Sequence, residues 1–340
     1  MIDLRSDTVT KPDETMRNAA RDAAVGDDVY GVDPSVEELQ RRAADLVGMA
    51  AALFVPSGTM GNQIAIRVHA GRGDELLLER ESHLHRYELA GAAQLSGVQS
   101  RTFDAPDRGV PTPAQVRTGY VDESLHRPGT GLLALENTHN YHGGRPVSKA
   151  HVDAAADAAH DLGVPVHVDG ARIFNAAVAL DTPAEALLER ADSVMFSLSK
   201  GLGAPVGSIL AGSTSFVEEA RRVRKLFGGG MRQVGIVAAP ALYALENVDR
   251  LAVDHENAAR LAEGLDAIDG LSASEPETNI VLVDTAAAEL TAEAFLDRCA
   301  DVEVAGNAFG EYTVRFCTHL DVSAEDVEAA VDRVEPILER

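Results

Sequence analysis

Apolar residues follow two rhythms along this chain. Short, nearly unbroken apolar runs alternate with Ala-rich stretches in which apolar positions recur at helical spacing. The runs predict strands over Leu76–Leu78, Gly131–Leu135, Val164–Val168, Ser193–Leu198 and Ser208–Leu210. The stretches predict helices over Ser35–Val47, Thr59–His69, Lys149–Leu162 and Thr214–Phe227, with a long one from Arg232 to Ile268. In that last segment Val237, Leu242, Leu245, Val248 and Leu251 keep the helical period. Alternating strands and helices imply an α/β fold with a mostly parallel central sheet. Beyond the long helix the order changes. Asn279–Asp284 predicts a strand, Thr291–Cys299 a helix, Val302–Ala305 and Tyr312–Cys317 strands, and Ser323–Arg340 a final amphipathic helix. The expected division is a large domain with an N-terminal arm over 1–250 and a small α+β domain over 251–340.

Composition narrows the partners. The chain of 340 residues carries 54 acidic and 30 basic residues, a formal charge of −24. No basic patch stands out, so neither nucleic acid nor an anionic membrane is an expected partner. The acidic residues are spread along the whole chain. With few lysines and abundant small residues, this points to adaptation to high salt, where ions screen the self-repulsion. Cys299 and Cys317 have no partner at metal-ligand spacing, which predicts buried reduced thiols and no metal site. No apolar run approaches the length of a membrane helix, and MIDLRSDTVT lacks the apolar core of a secretion signal. A cytoplasmic protein is expected.

Two segments carry the chemistry. VPVHVDGARIF reads as a buried strand ending on Asp169, with Arg172 three residues later. SLSKGLG reads as a strand ending on Lys200 in a Gly/Ser-rich turn. Taken singly, such an Asp is an ordinary loop residue and such a Lys a solvated charge. Lys200, however, is flanked by Val194, Met195, Phe196, Leu198 and Leu202, and only Lys11, Lys149 and Lys225 are lysines besides it. A chain that otherwise prefers arginine needs an amine here. A desolvated lysine can attack an aldehyde, whereas arginine cannot under ordinary conditions. An amine for a Schiff base and a carboxylate for a pyridine nitrogen are what pyridoxal 5′-phosphate (PLP) requires.

Other residues extend this constellation. Ser57, Gly58 and Thr59 precede a helix, where free N–H groups and the helix dipole suit a phosphate; ordinary N-capping explains them equally well. His83 suits stacking on the cofactor ring and proton transfer, with His85 an unresolved alternative. Arg172 can contact the cofactor ring oxygen or the substrate carboxylate, or form a salt bridge. Arg315, set among strand residues, needs an anion, and an amino-acid carboxylate fits it bidentately. Arg232 follows a triple glycine, as a phosphate or subunit-interface residue or within a plain linker.

These motifs together resemble the low-specificity L-threonine aldolases, PLP enzymes of fold type I. The resemblance runs in order through MIDLRSDTVTKP, GDDVYGVDPSV, FVPSGTMGN, HRYELAGAA, LENTHN, HVDGARIFNA, SLSKGLGAPVGS, RKLFGGGMRQ and TVRFCTHLDVS. It implies a homo-oligomer, dimer or tetramer, with sites shared between subunits and a small amino acid as substrate. It implies that Lys200 forms the internal aldimine, Asp169 binds the pyridine nitrogen and Arg172 the ring oxygen. Gly58 and Thr59 resemble the phosphate cradle, with Arg232 nearby or reaching across an interface. Ser6 and Arg315 resemble the ligands of the substrate carboxylate, and His83 the stacking histidine. His126 resembles a second histidine near the substrate hydroxyl, although Arg127–Gly131 depart from the family pattern. Tyr30 resembles a residue that completes the site. The implied reaction cleaves L-threonine or L-allo-threonine to glycine and acetaldehyde through a glycine quinonoid, with His83, His126 or an activated water as base. A different PLP lyase or racemase of the same fold is the nearest alternative. A cofactor-free Schiff-base aldolase and a non-catalytic binding module stand further off.

Overall fold

The computed structural model describes residues 1–105 and 107–338. After a two-residue strand β1 (Ile2–Asp3), seven strands build the central sheet: β2 (Ala51–Val55), β3 (Glu75–Glu79), β4 (Gln99–Phe103), β5 (Thr130–Glu136), β6 (Val166–Asp169), β7 (Ser193–Ser197) and β8 (Ser208–Gly212). Their order is β2-β8-β7-β6-β5-β3-β4. In this sheet β8 runs opposite to the other six strands. Helices cover both faces, so β3, β6, β7 and β8 are buried at every position. That is why these strands read as continuous apolar runs.

Local chemistry starts the helices where they are needed. Asp33 caps Pro34–Leu46, and proline takes the first helical position, where its missing N–H is not needed. Ser57 caps Gly58–His69 by accepting the Met60 N–H at 3.2 Å. Thr112 and Gln115 form a capping box on Pro113–Gly119.

A second, antiparallel sheet follows: β9 (Ser272–Ala273), β10 (Ile280–Asp284), β12 (Asn307–Ala308) and β13 (Thr313–Cys317), in the order β12-β13-β10-β9. Between them, β11 (Val304–Ala305) pairs in parallel with β1. Helices Leu251–Asp266, Ala292–Asp301 and Ala324–Leu338 enclose a core of Val281, Phe295, Phe316 and Val334. Ile2 and Leu4 from the N-terminus enter this same core. Cys299 and Cys317 are buried free thiols, each pushed by burial up to about 12.

Three expectations are corrected. The long helix from Arg232 to Ile268 is two helices, Gly235–Ala244 and Leu251–Asp266, joined by a short 3-10 turn and a bend. The chain turns there because Ala244, Leu245 and Leu251 serve the first core while Ala258, Leu261 and Leu265 serve the second. Strands β2 and β4 were not among the expected strands, although β2 is an apolar run, Ala-Ala-Leu-Phe-Val. Strand β4 lies at the sheet edge with exposed Gln99 and Ser100, so it never needed an apolar pattern. The final helix begins at Ala324, and its expected last residues, Glu339 and Arg340, lie outside the described residues.

Candidate active site

The carboxyl ends of β2, β3, β5, β6 and β7 all point to one edge of the sheet. Ligands of open α/β sheets bind at that edge. A cavity of about 560 Å³ opens there, lined by Ser57, His83, Asp169, Arg172, Lys200 and Arg315 among others. Ser57, His83, Asp169, Arg172 and Lys200 converge because each lies at or just past one of these strand ends, while Arg315 comes from β13 of the second sheet.

Asp169 is the last residue of β6 and is 1% exposed. Its Oδ1 accepts the Ala171 N–H at 3.1 Å, and its Oδ2 accepts Asn62 Nδ2 at 2.8 Å. Asn62 donates its other amide proton to Glu88 Oε1 at 2.9 Å. With its NH₂ group between two carboxylates, its Oδ1 must accept, and the donor is His167 Nε2 at 3.0 Å. That fixes the His167 tautomer. His167 Nδ1 then accepts from Ser193 Oγ at 2.8 Å, and Ser193 Oγ accepts from His69 Nε2 at 2.8 Å. Burial holds His167 down to about 3 and His69 down to about 4, so both rings stay neutral near pH 7. The floor beneath Asp169 is therefore a chain of neutral dipoles, every donor aimed toward the carboxylate.

His83 stands beside this floor. Its Nδ1 lies 3.0 Å from Glu88 Oε1 and 3.9 Å from Asp169 Oδ2. Gln63 Nε2 donates to Glu88 Oε2 at 2.6 Å and holds that carboxylate in place. Burial opposes charge on His83, but the Glu88 hydrogen bond and the Asp169 carboxylate raise its pKa above the ordinary value. Its backbone N–H donates to Glu136 Oε2 at 2.7 Å.

The opposite wall is charged. Arg172 donates Nε and Nη2 to the two oxygens of Asp7, both at 2.7 Å, and the pair is buried. Burial would push the Asp7 carboxyl up, yet the Arg172 guanidinium holds it well below the usual range. Arg315 donates Nη1 to Asn140 Oδ1 at 2.9 Å and Nη2 to the Arg5 carbonyl at 3.1 Å. Arg172 Nη1 reaches the same Asn140 oxygen at 3.3 Å. Among the described residues, Arg315 Nε is buried with no partner. Burial and the neighbouring Arg172 lower the Arg315 pKa.

Lys200 follows β7 in a turn closed by Gly203 N–H to the Lys200 carbonyl at 2.8 Å, with Thr10 Oγ1 on the same oxygen at 3.0 Å. Gly203 has φ +82°, and a Cβ there would sit 2.4 Å from Leu320, so the turn requires glycine. Burial and then Arg172 depress the Lys200 pKa, against the pull of Asp7 and Asp169. Gly58 and Thr59 line the cavity at the N-terminus of their helix. A Cβ on Gly58 would meet the Met195 thioether at 3.1 Å, so glycine allows this close packing.

The structure thus brings together Ser6, Ser57, Gly58, Thr59, His83, Asp169, Arg172, Lys200 and Arg315. It does not bring His126, Tyr30 or Arg232 to the cavity of this chain. His126 is exposed in the turn before β5. Tyr30 is 79% exposed, and Arg232 pairs with Asp27 at 3.4 Å on the same surface. His85 is exposed and outside the cavity, which leaves His83 as the histidine of that segment in the site. Sequence reasoning missed Asp7, Asn62, Glu88 and His167; it pointed to the LENTHN segment without a role for Asn140, which meets both arginines. The available signals were Asn62 and Gln63 in a helix of otherwise apolar inward residues and His167 inside a buried strand.

The mostly parallel sheet with its smaller antiparallel sheet has the fold type I architecture. The profile of the beta-eliminating lyase family matches residues 3–288. A probable low-specificity L-threonine aldolase of Arabidopsis thaliana is 44% identical over 345 residues, covering 99% of this chain and 97% of the relative. The low specificity L-threonine aldolase of Escherichia coli O157:H7 is 42% identical, covering 96% of each chain. A threonine aldolase of Leishmania major shares the fold with a TM-score of 0.84 at 19% identity, covering 99% of this chain and all of the other. The chain belongs to the low-specificity L-threonine aldolase family and is a lyase.

Proposed function

We propose that this lyase binds pyridoxal 5′-phosphate and cleaves L-threonine and L-allo-threonine to glycine and acetaldehyde. The observation that carries the reading is the Lys200 amine, depressed by burial, on the same cavity as the Asp169 carboxylate. The residues present fit the cofactor. Lys200 would hold its aldehyde carbon and Asp169 its pyridine nitrogen. Ser57, Gly58 and Thr59 would take its phosphate, His83 would lie on its ring, and Arg172 would reach its ring oxygen. When bound, this cofactor supplies an electron sink for the pair released as the Cα–Cβ bond breaks.

The chain's own residues do the rest. Arg315, with one buried donor idle, and Ser6 fix the substrate carboxylate. Holding the scissile bond in the reactive orientation is worth about 7–11 kcal/mol. Asn62 and the dipoles behind it keep Asp169 aimed and accepting. His83, oriented by Glu88, is the histidine of this cavity that can exchange a proton with the β-hydroxyl.

The reading extends to a homo-oligomer with shared sites and a division of the chain near residue 250. Tyr30, Val32 and Ile236 are 79%, 59% and 52% exposed, which supports burial of that face against another copy bringing Tyr30 or Arg232 to a neighbouring cavity. No helix among the described residues is long and apolar enough to cross a membrane. The charge of −24 supports work in a salt-rich cytoplasm.

Product analysis tests the reaction. Incubation with L-threonine should release glycine and acetaldehyde in equal amounts. Ammonia with a keto acid would reassign the enzyme to β-elimination.

A further inference from the structure

A second cluster of chemistry-bearing side chains lies beside Glu136, outside the lining of the cavity. Glu79 ends β3, while His139 and His142 follow the end of β5. An imidazole nitrogen of each histidine and a carboxylate oxygen of Glu79 all lie within 4.8 Å of one another. Glu79 and His139 are 4% and 0% exposed. Glu79 Oε2 stands 3.1 Å from His139 Nε2, close to the ~3.3 Å edge of a tetrahedral site with ~2.0 Å bonds.

A simple Glu79–His139 hydrogen bond leaves much unexplained. Among the described residues, His142 Nε2 is buried with no partner beside this pair. Buried polar atoms are ordinarily partnered. The two rings pack with centroids 4.4 Å apart, a close approach for groups that share no hydrogen bond. Glu79 is also held from behind, since its Oε2 accepts the Glu81 N–H at 2.6 Å. Outer-sphere bonds of that kind orient metal ligands.

We propose that Glu79, His139 and His142 bind one divalent transition-metal ion of the zinc type. Two imidazole nitrogens and one carboxylate oxygen suit zinc, cobalt or nickel better than calcium or magnesium, which prefer oxygen. Water takes the open position. Glu136 Oε2, 3.9 Å from His139 Nε2, borders the site and also accepts the His83 N–H. The ion ties the end of β3 to the segment after β5 and stiffens the shoulder that carries Glu136. Its role is structural and does not depend on the cofactor.

The test uses the full chain with its cofactor, stripped by a chelator and then titrated with Zn²⁺ by calorimetry and with Co²⁺ by visible absorption. One ion per chain is expected, with a low-coordinate cobalt spectrum and a thermal midpoint that rises with zinc concentration. Glu79→Gln and His142→Asn should each weaken binding about tenfold or more. His142 is only half-buried, so its variant removes a ligand without emptying a core. A wild-type chain that takes up no ion overturns the site. So does binding of equal strength in both variants, the result expected from unspecific uptake by an acidic surface.

Discussion

The floor beneath Asp169 and the wall built from Arg172 and Arg315 solve opposite problems. The floor uses neutral groups, Asn62, His167, Ser193 and His69, and each hydrogen bond along it is satisfied within the protein. The wall uses full charges, and among the described residues only one of them is neutralised: Asp7 takes Arg172, while Arg315 keeps a buried donor without a partner. A finished floor holds a residue that must keep one position. On the reading proposed above, the unfinished wall would take an anion from outside, and the part that positions would be separate from the part that binds.

Removing the one counter-charge on the wall should do the most damage. Asp7→Ala leaves Arg172 buried and unpaired, so stability should fall by about 3–5 kcal/mol in denaturant titration. Arg315→Leu comes next. It removes the guanidinium with the idle donor, and kcat/KM for threonine should drop on the order of 10²-fold with folding little changed. If turnover of small amino acids survived that change, the wall would not be the carboxylate site. On the floor, Asn62→Leu strips the shared donor from Glu88 and Asp169 and should cost about 2 kcal/mol, read as a lower denaturation midpoint. The pH dependence is graded, so it appears as a slope and not as a single loss. His167 is neutral when folded and near 6.5 when unfolded, so the unfolded chain binds more protons below pH 6.5. Stability should be full above pH 6.5 and fall as pH drops toward about 3, by at most about 1.4 kcal/mol per unit for this ring. His167→Gln should flatten that slope.

The same contrast explains what the sequence made legible. Asp169 and Lys200 could be found because each terminates a buried strand, and a charge at the end of an apolar run is visible in one dimension. Arg315 stood out differently, as a charge in the middle of an apolar strand. Asp7, Asn62 and Glu88 could not be placed in the same way. Asp7 meets Arg172 across 165 positions, and Asn62 meets Asp169 across 107, so no local spacing announces either pair. Strand β4 was hidden because an edge strand needs no apolar pattern. The break after Ala244 was hidden because helical period continues through it while the chain changes cores. Tyr30, His126 and Arg232 matched family motifs, yet motif order says nothing of which chain's cavity a residue serves.

One measurement addresses the central claim, that Lys200 is the amine that holds the cofactor. The protein would be purified in high salt, its visible absorption recorded before and after borohydride, and the reduced adduct mapped by peptide analysis. The account predicts a yellow band that disappears on reduction and a label carried by Lys200 alone. A colourless protein that takes up no added pyridoxal phosphate, or a label on Lys11, Lys149 or Lys225, would contradict it.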